Sequence, residues 1–251
     1  MSFLSKLFKK EPVLDPVDLS ILGTDVHSHL IPGIDDGSKN MEETLIMLKG
    51  FIDLGYKKVI TTPHVMSDFY KNTPETILGG LEKVRDAIAK EKLLIKIDAA
   101  AEYYLDFHFE DLIEKKEVLT FGDNCVLFEL SFMHEPTRIK EAIFNLQTAG
   151  YTPILAHVER YPYYHNQWET LEDFKNRGCL FQLNTNSLSG VYGPGVKKMA
   201  EELIDKEMID LLGSDCHHKG HIEIIESLRT NKHVHKIVAK ESLLNKKLQL
   251  T

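Results

Sequence analysis

Cysteine is scarce in this 251-residue chain. Three thiols, Cys125, Cys179 and Cys216, lie far apart, with no CxxC pair among them. So few cysteines exclude a disulfide-stapled scaffold, and an odd number in apolar settings points to reduced, buried thiols of a cytosolic protein. Basic residues are also in deficit: 30 Lys and Arg stand against 38 Asp and Glu, a formal charge of −8. Nucleic-acid binding needs an excess of phosphate-neutralising cations, so no nucleic-acid partner is expected. Long apolar runs are missing too. No segment approaches the roughly 20 residues that span a bilayer. The first residues lack the about 7–15-residue apolar core of a secretory signal. A cytoplasmic protein is the expectation.

What is present suits one large domain, with 43% hydrophobic residues over a length that a single α/β barrel can occupy. Residues 1–20 differ from the rest. Phe3, Leu4, Leu7 and Phe8 fall at helical spacing beside Lys6, Lys9 and Lys10, followed by a stretch containing Pro12 and Pro16. One expectation is a short basic helix on an anionic membrane, which would place the protein peripherally at the inner membrane face through residues 1–10. The simpler one is a frayed extension. The chain is therefore divided into an extension, 1–20, and one domain, 21–251.

From Ile21 onward short apolar runs alternate with helical patterns. The runs are Ile21–Val26, Lys58–Thr62, Leu94–Ala100, Cys125–Leu130, Thr152–Ala156, Cys179–Leu183 and Met208–Gly213. Helices are predicted near 41–55, 74–91, 107–116, 137–150, 167–177, 195–207, 221–229 and 233–245. Asn40 ahead of Met41-Glu42-Glu43 is an N-cap signature, Gly55 suits the matching C-terminus, and Thr73-Pro74 opens the second helix. Seven strand–helix units imply a parallel sheet closed as a barrel or near-barrel, with an open doubly wound sheet as the alternative.

The chemistry lies in what ends each strand. The first ends in Asp25-Val-His27-Ser-His29, the second in Thr-Pro-His64, the third in Glu102 and the fourth in Glu129. The fifth ends in His157-Val-Glu-Arg160, and the seventh in Ser214-Asp215-Cys-His217. The carboxyl ends of parallel strands open on one face, where active sites form. Side chains alternate along a strand, so His27 and His29 point the same way, as do Asp215 and His217. Imidazole mixed with carboxylate suits Zn, Fe or Mn better than Mg or Ca. An HxH pair alone is a weak signal, but six strand ends of this kind point to a metal centre.

These residues resemble the PHP (polymerase and histidinol phosphatase) superfamily, and within it the CpsB/YwqE-type tyrosine phosphatases of bacterial capsule and exopolysaccharide loci. The resemblance covers about residues 23–230 and is carried by segments 25–37, 61–64, 101–104, 128–131, 156–161 and 214–217. It implies a distorted seven-stranded TIM-like (β/α)7 barrel and three divalent metals, Mn first with Fe or Zn as alternatives. By resemblance His27, His29, Glu102 and Asp215 hold one metal. Glu102 bridges to a second, completed by Glu129 and His157. Asp36, His64 and His217 hold the third, with Asp35 as the rival to Asp36. Such a cluster lowers the pKa of a bound water and clamps phosphoryl oxygens. Three divalent ions would also cancel most of the negative charge.

Arg160 is the candidate for stabilising phosphoryl charge, with a salt bridge to Glu159 as its alternative role. Tyr161, in an aromatic cluster with Tyr163, Tyr164 and Trp168, is a candidate to stack on a substrate ring, with packing of the loop on the next helix as its alternative. Two departures from the family pattern stand out. The second arginine expected after Ser-Asp-x-His is replaced by His218-Lys219-Gly220-His221, so Lys219 is expected to supply that charge. The loop after His64 lacks the family's basic pair. A cysteine phosphatase is excluded, because the residues six beyond Cys125, Cys179 and Cys216 are Ser131, Thr185 and Ile222 rather than Arg. The resemblance implies a phosphotyrosine-bearing partner, the tail of a polysaccharide-synthesis tyrosine kinase. The alternatives are a histidinol-phosphate-type phosphatase, a phosphodiesterase or exonuclease, and a non-catalytic metal-bound partner of that tail.

Overall fold

The computed structural model describes residues 14–248; the basic segment at residues 3–10 lies outside them. Helices form where caps and periodicity coincide. Asn40 accepts the Glu43 N–H to open α1, Met41–Asp53, which buries Thr44, Met47, Leu48 and Phe51 on one face. Thr73 and Thr76 form a reciprocal cap for α2, Pro74–Glu91, whose buried stripe is Ile77, Leu81, Val84 and Ile88. The same pattern builds α3 (Phe107–Lys115), α4 (Ile139–Thr148), α5 (Trp168–Asn176) and α6 (Pro194–Asp205). It continues through α7 (Lys219–Ser227), α8 (Lys232–Ala239) and the short α9 (Asn245–Leu248).

Each expected apolar run contains a strand, and the second and third runs are each followed by a further short strand that was not expected. β1 is Thr24–Asp25, β2 Lys58–Thr61, β3 His64–Val65, β4 Lys96–Ala99 and β5 Glu102–Tyr104. β6 is Cys125–Glu129, β7 Thr152–Leu155, β8 Leu180–Asn184 and β9 Leu211–Gly213. The chain breaks at Thr62-Pro63 and at Ala100-Ala101, where proline cannot donate to a ladder and alanine offers little to pack. Strands β1, β2 and β4 form one parallel sheet, and β3-β5-β6-β7-β8-β9 form a second. The strand order follows the chain order without the reversal a doubly wound sheet requires. At the carboxyl ends the two sheets meet: Ser28 bridges Cys216, and Asp215 N–H donates to His27 O (2.7 Å).

The core has two parts. Val26, Ile60, Leu127, Ile154 and Leu211 belong to a small cluster lined by the strands, and a larger shell joins the helices to the sheets. Part of the segment assigned to the extension is tied into this shell. Val17 exchanges backbone and guanidinium hydrogen bonds with Arg229, and Leu19 is buried. Among the described residues no helix is long and apolar enough to cross a membrane.

Candidate metal centre

The eight residues read from strand ends and Asp36, taken from the resemblance, converge around a cleft of about 360 Å³, with His64 and Glu102 opening β3 and β5 just beyond β2 and β4. His27 and His29 follow β1 and are buried on the same side, as the strand alternation requires. His157 and Asp215 adopt left-handed backbone, with φ of +31° and +50°. Such conformations are costly for residues other than glycine and are tolerated where surrounding bonds fix them. Here the His157 N–H donates to Gln182 Oε1 (2.9 Å) and the Asp215 N–H to His27 O.

Hydrogen bonds to the outer ring atoms dictate the histidine tautomers. Gln182 Oε1 accepts from a backbone N–H, so it is the carbonyl oxygen, and the His27 Nδ1 that faces it at 2.9 Å must donate. His29 Nδ1 donates to Asp35 Oδ2 (2.8 Å), and His217 Nδ1 to the Asp215 carbonyl (2.9 Å). When neutral, all three rings therefore turn a bare Nε2 inward. Two of them, on His27 and His29, face each other at 3.4 Å. Around them stand Glu102 Oε2, at 3.2 and 3.5 Å, and Asp215 Oδ1, at 3.5 and 3.4 Å. Glu102 Oε2 is buried with no hydrogen-bond donor. With the imidazoles neutral, such a concentration of buried acceptors is unfavourable unless protons or divalent cations fill it. The residues present fit divalent metal ions, and outer hydrogen bonds of this kind orient metal-binding imidazoles.

The protonation equilibria report the same field. Burial alone would depress His27, but Glu102 and Asp215 raise it to about 9. Burial is likewise overcome at His64, raised to about 10 by Glu102, Glu129 and Asp36, and at His217, raised to about 9 by Asp36 and Asp215. Burial works against the charge of Glu102 and Asp215, yet the surrounding histidines hold both well below the usual carboxylate range. Asp36, hydrogen-bonded to His217, falls to about 2.

Four groups have donor atoms within 4.8 Å of one another: His29–Asp36–His64–His217, His27–His29–Asp215, His27–Glu102–His157 and His64–Glu102–Glu129. They overlap, and Glu102 and His64 each sit in two. Glu129 lies nearer His64 (3.1 Å) than His157 (3.9 Å). Asp36 faces His64 and His217, whereas Asp35 is buried behind His29 and accepts from the Gly37 and His64 N–H groups.

Arg160 reaches the cleft and donates to Asp215 Oδ2 (3.0 Å), its guanidinium between the rings of Phe132 (4.6 Å) and Tyr192 (4.4 Å). It does not pair with Glu159, which points into the interior to accept from Asn184 N–H and Ser187 Oγ. Two expectations are corrected. Tyr161 is fully buried, its hydroxyl accepting the Leu130 N–H, so it cannot stack on a substrate. The ring exposed at the mouth is instead Phe132, stacked on Tyr161 at 5.5 Å. Lys219 does not line the cleft and pairs with Glu223 (3.0 Å); His218 and His221 line the wall in its place.

The reading from sequence missed Gln182 and Asn184. Asn184 Nδ2 donates to Asp215 Oδ2 (2.7 Å), and Gln182 Nε2 to Asn184 Oδ1 (2.9 Å), so β8 orients candidate ligands on three neighbouring strands. Their i, i+2 spacing on an otherwise apolar strand was the available signal.

Comparison with known proteins agrees with this geometry. Residues 23–241 match the family described as capsular polysaccharide synthesis, CpsB/CapC. The tyrosine-protein phosphatase CpsB of Streptococcus pneumoniae is 30% identical over 202 residues, covering 77% of this chain and 82% of that protein. The tyrosine-protein phosphatase YwqE of Bacillus subtilis is 26% identical over 194 residues, 77% and 76% of the two chains. A crystal structure from work on YwqE and CpsB, called there unique metal-dependent tyrosine phosphatases, superposes with a TM-score of 0.79 at 24% identity, covering 90% of this chain and 91% of that one. The chain belongs to the CpsB/CapC family.

Proposed function

We propose that this protein is a metal-dependent protein-tyrosine phosphatase that removes phosphate from tyrosines of a capsule- or exopolysaccharide-synthesis kinase. The observation that carries the reading is the buried cluster of inward-facing imidazole and carboxylate acceptors directly beneath Arg160. Relatives named tyrosine-protein phosphatases support the substrate class. His27, His29, Asp36, His64, Glu102, Glu129, His157, Asp215 and His217 would hold three divalent ions, Mn first with Fe or Zn as alternatives. When bound, these ions supply a water of lowered pKa and positive charge for the phosphoryl oxygens.

The protein's own groups do the rest. Arg160, held by Asp215 and its two flanking rings, presents the remaining guanidinium N–H groups to a nonbridging oxygen as its charge builds. Phe132 offers an apolar face at the mouth for the tyrosyl ring. A phenolate leaves more readily than an alkoxide, so a general acid is less needed for phosphotyrosine than for phosphoserine.

The two sheets would together form one distorted seven-stranded barrel. The Ser28–Cys216 bridge between first and last strands supports that closure. Residues 21–251 would act as one domain, preceded by the extension at 1–20. A cytoplasmic enzyme is supported by three buried free thiols.

The test is purified, metal-reconstituted protein assayed on a phosphotyrosine peptide, a phosphoserine peptide, histidinol phosphate and single-stranded DNA. Preference for the phosphotyrosine peptide is expected. Turnover confined to histidinol phosphate would refute the substrate assignment.

A further inference from the structure

The cleft does not end at its own mouth. Beyond Asp36, His217 and His218 it continues past Lys39 and Glu43 along the start of α1. It then opens into a groove between α1 and α7 floored by Ile46, Gly50, Leu54 and Ile222. Ile46 and Lys219 line both stretches, so the depression is continuous from the candidate metal centre outward. The floor depends on a close helix approach: a Cβ at Gly50 would lie 2.7 Å from Ile222 Cγ2. Ile46 is 40% exposed there. Of the charges along the groove, Lys219 pairs with Glu223 (3.0 Å), Arg229 with Glu226 (3.0 Å) and Lys49 with Glu91 (3.7 Å), while the floor between them is apolar.

We infer that this groove seats the polypeptide flanking the phosphotyrosine and takes a large apolar side chain against Ile46 and Ile222; the inference rests on the phosphatase reading. At about 1.5 Å per helical residue, α1 from Glu43 to Leu54 spans about 16 Å, the length of about five extended residues. A phosphotyrosine ring alone is the same on every substrate, so contacts beyond the cleft must distinguish one phosphoprotein from another. The sharing of Asp36, His217 and His218 with the near end favours a substrate segment over other occupants. The protein's own N-terminal segment, entering beside Arg229, would need only the far end.

The test compares two phosphotyrosyl peptides, one carrying leucines on both sides of the tyrosine and one carrying serines there, with p-nitrophenyl phosphate as the small substrate. The leucine peptide should have a kcat/KM about tenfold higher, through KM, as partial burial of one apolar side chain implies. Ile46→Glu should remove that advantage when rates are normalised to p-nitrophenyl phosphate. A phosphonate analogue of the leucine peptide should slow amide exchange over residues 43–54 and 219–227 of the full-length protein.

Equal rates for the two peptides, no effect of Ile46→Glu, or protection confined to the loops at Asp36 and His217 would overturn the inference while leaving the phosphatase reading intact. Protection of α1 and α7 without peptide that rises with protein concentration would also overturn it. Loss of that protection on dilution would assign the groove to a second copy. Joint loss with protection of residues 1–13 in Ile46→Glu would assign it to the N-terminal segment. No hydrolysis of any aryl phosphate would refute the phosphatase reading itself.

Discussion

Replacing Gln182 with methionine keeps the volume of a fully buried side chain and removes its polar atoms. Three groups then lose their partner: His27 Nδ1–H, His157 N–H and Asn184 Oδ1. Each unpaired buried group costs about 1–3 kcal/mol. Because they form one connected network the costs do not add in full, and a net loss of about 3–4 kcal/mol is expected. For a chain of this size that lowers the melting temperature by about 6–16 °C. The more specific consequence concerns His27, which loses the acceptor that keeps its Nε2 bare and its ring aligned. Loss of such an outer partner weakens metal binding by about 10–100-fold. Gln182→Glu keeps an acceptor for both N–H groups and should retain more metal affinity than the methionine variant. The assays are thermal unfolding of the metal-free protein and a metal titration followed by elemental analysis. A methionine variant that melts earlier but binds metal with parental affinity would show that Gln182 only supports the fold. Unchanged values in both would refute the tautomer argument.

Gly37→Ala is expected to disrupt the loop that carries Asp35 and Asp36, because its Cβ would lie 2.3 Å from both Cβ and the carbonyl oxygen of His29. Metal content after dialysis should fall, and full retention would contradict the placement of Asp36 among the ligands. Arg160→Ala should keep its metals, since Asn184 still holds Asp215, while kcat/KM for phosphotyrosine peptide falls about 10²–10³-fold; metal loss in this variant would contradict the role assigned to Arg160. Tyr161→Phe removes the acceptor of the Leu130 N–H and should cost about 1–3 kcal/mol in denaturant unfolding, with KM unchanged. A rise in KM alone would return Tyr161 to the substrate.

Much of the fold was legible because capping and periodicity are local. Asn40, Thr73 and the apolar stripe of α2 mark helices without reference to the rest of the chain. The site was legible for a related reason: in parallel strands, residues just past each carboxyl end must meet, so His64, Glu102 and Glu129 could be brought together before any contact was known. What escaped depends on long-range packing. Nothing local showed that the chain beyond the runs ending at Thr62 and Ala100 would form further strands, β3 and β5, in the other sheet. Gln182 carries no ligand signature of its own, and its role arises only when His27 and His157 arrive from distant strands. Tyr161 beside Arg160 looked exposed, yet Leu130 supplied a partner for its hydroxyl and drew it inside. Lys219 had an acidic neighbour one helical turn away, and Glu223 captured it.

The central claim, a multimetal hydrolytic centre, is tested most directly by reconstitution. Protein stripped by a chelator would be titrated with Mn while bound metal and phosphotyrosine-peptide hydrolysis are followed together. The account predicts no hydrolysis without metal and a rate that saturates only as the third equivalent binds. Full activity in the stripped protein, or saturation at a single equivalent, would contradict it.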